Sequence, residues 1–145
     1  MEVPCPAELL FGFVEVLDDF PEWMPLVHRV VSMGDGTDRT PAWDVELRAR
    51  LGPLARSKRL RMVRRICDAG RGEVVFERSE LDDRHHSAWV LCATVTDEAH
   101  GSCLHMRLHY GGALWTGGVM ERVLADQITA GRSKLLELIA AAPSV

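Results

Sequence analysis

The 145-residue chain has no apolar run near the ~20 residues that a membrane-spanning helix requires. Its first residues lack the basic stretch and apolar core of a secretory signal, so a cytoplasmic protein with no membrane span is expected. Cys5, Cys67, Cys92 and Cys103 stand far apart with no Cys-x-x-Cys pair. That spacing excludes a common zinc-site pattern and fits reduced thiols that fill space. A net charge of −4 removes the electrostatic basis for a nucleic-acid partner. The run RSKRLRMVRR, Arg56–Arg65, is the local exception, and its alternation predicts a solvated strand face beside Asp44, Glu46 and Glu77. No nucleophile–base pair, phosphate loop or paired-carboxylate signature appears, and no cofactor is expected.

What is present is patterning. Cys103–Tyr110 alternates, with Leu104, Met106, Leu108 and Tyr110 on one face and Cys103, His105, Arg107 and His109 on the other, which predicts a strand. After the joint GGALWTGG at 111–118, residues Met120, Leu124, Ile128, Leu135 and Ile139 fall at helical spacing. They predict a helix from Gly118 to Ala141, about 36 Å long at 1.5 Å per residue. Such a helix needs a wide antiparallel sheet to lie across, and a curved sheet leaves a cavity beneath it.

Upstream, Glu2–Pro4 reads as a short strand, Pro6–Leu17 as a helix, and Phe20–Met24, bracketed by Pro21 and Pro25, as a helical turn. Strands are expected over Val27–Met33, Ala42–Leu51, Arg56–Cys67, Glu73–Glu80 and Ser87–Val95. Only a few turn residues separate them, which predicts antiparallel hairpins and excludes an alternating parallel α/β fold. One α+β domain across residues 1–145 is expected, with an exposed sheet edge that permits a homodimer.

Three stretches carry a resemblance: PCPAELLFGFVEVLDDFPEWMPLVHRV (Pro4–Val30), RLGPLARSKRLRM (Arg50–Met62) and LHYGGALWTGGVMERVLADQI (Leu108–Ile128). The chain resembles the START and Bet v 1-like (SRPBCC) superfamily, and within it the bacterial polyketide cyclase/dehydrase and lipid-transport group. The resemblance implies a helix-grip fold: a curved antiparallel sheet of about seven strands wrapped on a long C-terminal helix, with two short N-terminal helices. It also implies a hydrophobic small-molecule ligand, either carried or, in the cyclases, cyclised by polar cavity groups.

Read from strand phase, the ligand-pocket residues are Trp43, Met62, Arg64, Phe76, Arg78, Trp89, Met106, Tyr110, Trp115, Met120 and Leu124. Arg64 and Arg78 are the charged members. Turned inward, each needs a carboxylate such as Glu80 or an anionic ligand; a bulge near Met62–Val63 would instead send them to solvent. Tyr110, the chain's one tyrosine, is the acid that a cyclase reading would use. Trp115, alone among four glycines, is expected to gate the mouth. His105 and His109 lie about 13 Å apart along a strand, too far to share an ion, and His85-His86 sits in a polar turn, so no metal is expected.

Overall fold

The computed structural model describes residues 1–35, 39–51, 53–111 and 119–143, with backbone alone at 35, 51 and 119–124. Seven strands form one antiparallel sheet: β1 (Glu2–Val3), β2 (Val27–Asp35), β3 (Pro41–Leu51), β4 (Leu54–Asp68), β5 (Glu73–Arg78), β6 (Trp89–Glu98) and β7 (Gly101–Tyr110). Between β1 and β2 run α1 (Ala7–Gly12), a 3-10 turn (Leu17–Asp19) and α2 (Phe20–Trp23); α3 (Val119–Ala141) closes the order. The sheet order is β1-β7-β6-β5-β4-β3-β2, a meander in which β1 alone is added from a distance.

The sheet's inner face is set by register. Trp43 pairs with Met62, Met62 with Arg78, Arg64 with Phe76, Phe76 with Leu91, and Leu91 with Leu108. Residues directly opposite in an antiparallel pair share a face, so this row is a continuous inner surface. Arg64 and Arg78 therefore sit in the inward phase. A bulge does interrupt β4, but between Arg64 and Ile66 rather than at Met62–Val63. The flip consequently falls on Ile66. In unbroken alternation Ile66 would share the inner face with Met62 and Arg64, and after the bulge it is 44% exposed.

The first helix is shorter than its apolar stripe predicts. It stops at Gly12, the chain is extended at Val16, and Leu17 begins the 3-10 turn. Gly12 and the β-branched Val14 and Val16 weaken a helix there, while tertiary burial of Val14 and Leu17 rewards the break. Breaking the helix frees carbonyls, and the Arg64 guanidinium answers one by donating from Nη1 to the Glu15 carbonyl at 2.7 Å.

An aromatic cluster lies beneath these short helices. Phe20 meets Trp23 at 4.9 Å and Phe76 at 6.3 Å between ring centroids, and Phe76 meets Trp43 edge-on at 5.6 Å. Trp43 donates from Nε1 to Asp18 at 2.6 Å, tying the 3-10 turn to β3. The long helix is gripped first by α2. A Cβ at Gly131 would stand 2.8 Å from the Trp23 carbonyl oxygen, so this glycine admits the close approach of α2. Leu135 is fully buried one turn further on.

Candidate functional site

Between the inner sheet face and α3 runs a groove. Leu17, Phe20 and Met24 form one wall, from the turn and α2. Leu26, Val27 and Val30 with Val45 and Leu47 continue it along β2 and β3. Leu60 and Met62 of β4, Trp89 and Leu91 of β6, and Met106 and Leu108 of β7 make the floor, and Ile128 of α3 faces them. Every one of these side chains is apolar. The cavity proper is narrow, about 90 Å³, within about 730 Å³ of atom-free space that includes its open mouth. Ile128 is 40% exposed because it faces this gap and not the packed sheet.

The sequence-predicted pocket residues separate into groups. Met62, Trp89 and Met106 line the groove. Trp43 and Phe76 belong to the aromatic core under the short helices. Arg64 points to the end of α1, its guanidinium 6.0 Å from the Trp43 ring centre. Trp115 lies outside the described residues, as do the side chains of Met120 and Leu124. Leu47, Leu60, Leu91, Leu108 and Ile128 line the groove without having been named as pocket residues, although strand phase and the helix stripe already carried that signal.

A second cluster stands at the groove's end. Tyr110 pairs with Trp89 across β6 and β7, their rings 4.7 Å apart and tilted by 61°. Arg78, its side chain only 9% exposed, donates from Nε to Glu80 at 2.8 Å. The same guanidinium contacts the Ser87 carbonyl at 3.4 Å and His86 Nδ1 at 3.2 Å. His86 reaches Asp82 through Nε2 at 2.7 Å, so it is a strut in the loop between β5 and β6 rather than a free surface histidine. That contact holds the Asp82 carboxyl below its ordinary range. His85, His105 and His109 are exposed, and among the described residues no three metal-ligating side chains converge.

Lys58 belongs to this cluster and was not singled out by the sequence. It shares the inner face with Leu60 and Met62 and pairs with Leu47. Its Nζ is 5.6 Å from the ring centres of both Trp89 and Tyr110. In a flat sheet three strand spacings of about 4.8 Å would separate β4 from β7. β5 ends at Arg78, paired with Met62, so it does not separate Lys58 from the two rings. Burial lowers the Lys58 pKa from its ordinary value, the Arg78 charge lowers it further, and Glu80 opposes both.

No family model matches the chain, and no curated protein matches it in sequence. Solved structures do. A protein of Thermus thermophilus is 15% identical, with a TM-score of 0.74 over 99% of this chain and 96% of its own. A START superfamily protein from Mycobacterium smegmatis is 12% identical, with a TM-score of 0.66 over 97% and 94%. The Zhui aromatase/cyclase from Streptomyces sp. R1128 is also 12% identical, with a TM-score of 0.65 over 97% and 90%. Identities this low carry the fold and not the chemistry.

Proposed function

We propose, for a chain with the helix-grip fold of the START and Bet v 1-like proteins, the binding and carriage of a hydrophobic small molecule in the groove under α3. The ligand class is a lipid, an acyl chain or a polyketide-like body. One observation carries this reading: among the described residues all the groove's lining side chains are apolar, on the sheet side and at Ile128 of the helix. Transferring apolar ligand surface from water onto such walls is favourable by roughly 25 cal/mol per Å². Cyclisation would need acid, base or oxyanion-stabilising groups turned toward the substrate. The two inner-face arginines are engaged elsewhere, Arg64 by the Glu15 carbonyl and Arg78 by Glu80, while Lys58 and Tyr110 stand at the groove's end and not among the residues that line its body. Carriage is therefore the better supported of the two.

The test uses a neutral fluorophore, N-phenyl-naphthylamine, titrated into the wild type and into Leu108→Trp. Leu108 is half-buried and lines the floor, so an indole there fills the slot without opening the core. Wild type should bind the fluorophore, and the variant should lose about ten-fold in affinity while its circular dichroism is unchanged. An unchanged affinity in Leu108→Trp places binding elsewhere and defeats the assignment. Native mass spectrometry of freshly purified protein should show a co-purifying apolar ligand.

A further inference from the structure

Building on the groove as a ligand site, we infer that its occupant is an amphipathic anion, with its apolar body in the groove and its carboxylate held at the end by Lys58. Three of the residues around Lys58, namely Leu47, Leu60 and Trp89, themselves line the groove, so the ammonium stands where an extended ligand would end.

Of the three cations Lys58, Arg64 and Arg78, Lys58 is the one without a hydrogen-bond acceptor among the described residues. Arg64 donates to the Glu15 carbonyl, and Arg78 is answered by Glu80, Ser87 and His86. Among the described residues no carboxylate or carbonyl receives a hydrogen bond from the half-buried Lys58 ammonium. The faces of Trp89 and Tyr110 hold the cation in place, and a ring face attracts a charge without accepting all three of its protons.

A second observation points the same way. Tyr110 Oη and Trp89 Nε1 are both buried and have no hydrogen-bond partner among the described residues. Trp89 is 3% exposed, so its N–H has little recourse to solvent. Buried donors are ordinarily paired, and unpaired ones need an explanation. Here two of them belong to the rings that embrace an unpaired ammonium. An incoming carboxylate supplies acceptors for donors of this kind, and a charged acceptor is the strongest they can have. Glu80 acts on Lys58 through its charge and not through a hydrogen bond; its Oε1 receives Arg78 Nε and the Arg61 backbone N–H.

The experiment measures displacement of N-phenyl-naphthylamine by dodecanoate and by dodecanol, two probes of equal chain length that differ in charge. Proteins are the wild type, Lys58→Met and Lys58→Arg, with thermal unfolding recorded for each. Wild type should favour dodecanoate by about ten-fold, as expected of a hydrogen bond to a charged group. Lys58→Met should bring the dodecanoate-to-dodecanol ratio to about one, and Lys58→Arg should restore most of the preference. A wild type without preference, or a preference that survives Lys58→Met, overturns the inference and leaves the groove reading standing. If neither probe displaces the fluorophore, the groove reading fails and this inference falls with it.

Discussion

Replacing Phe76 with alanine is expected to lower the unfolding free energy by about 3–5 kcal/mol in urea denaturation, at an unchanged m-value. The ring has no exposed surface and stands edge-on to Trp43 and Phe20, with interplanar angles of 78° to each. It sits on β5, the middle of the meander, between Arg64 and Leu91 in register. The walls of the resulting cavity are side chains tied down elsewhere: Trp43 by its bond to Asp18, and Phe20 by its contact with Trp23. A site that cannot collapse bears both the transfer cost and the cavity cost. Phe76→Leu, which keeps most of the volume, should cost less than about 1.5 kcal/mol. A Phe76→Ala loss below about 1 kcal/mol would show that the aromatic cluster is not the core.

The second large effect concerns Glu80. Its removal leaves the Arg78 guanidinium, 9% exposed, without its carboxylate, and leaves the Arg61 backbone N–H without an acceptor. A fully buried pair broken from one side costs about 3–5 kcal/mol. Glu80 is itself 21% exposed, and Arg78 keeps Ser87 and His86, so Glu80→Ala should cost about 2–3 kcal/mol. The double variant Arg78→Met/Glu80→Ala removes the orphaned charge and should recover part of that loss. If the double variant is no more stable than Glu80→Ala, Arg78 is not held by this carboxylate.

Most of the architecture was legible because it rests on period. Alternation in β3, β6 and β7 and the helical stripe of α3 are local signals, and the meander follows from short connections. The bulge after Arg64 was not legible in its position, since either placement is compatible with the residues and only the register settles it. The early end of α1 escaped for a different reason. Leu17 continues the helical stripe, yet it is buried through a 3-10 turn, an outcome decided by the sheet beneath it. For the candidate site, the apolar floor was readable from strand phase. The separation of Trp43 and Phe76 from Met62 and Met106 was not, because core and cavity wall share one face. Lys58 was obscured by its setting in an arginine-rich run that reads as a solvated face, although its even-numbered phase with Leu60 and Met62 already placed it inside.

The meander also sets the order of events when the chain folds and unfolds. Five of its six strand pairings join neighbours in sequence, which close short loops at low entropic cost. The groove depends on other contacts, above all the seating of Gly131 against Trp23, which bring together opposite ends of the chain. Those closures cost the most loop entropy and belong after the rate-limiting barrier. A bound ligand then has almost nothing to grip in the transition state. Its binding energy should appear as slower unfolding, with the refolding limb of a chevron plot nearly unmoved.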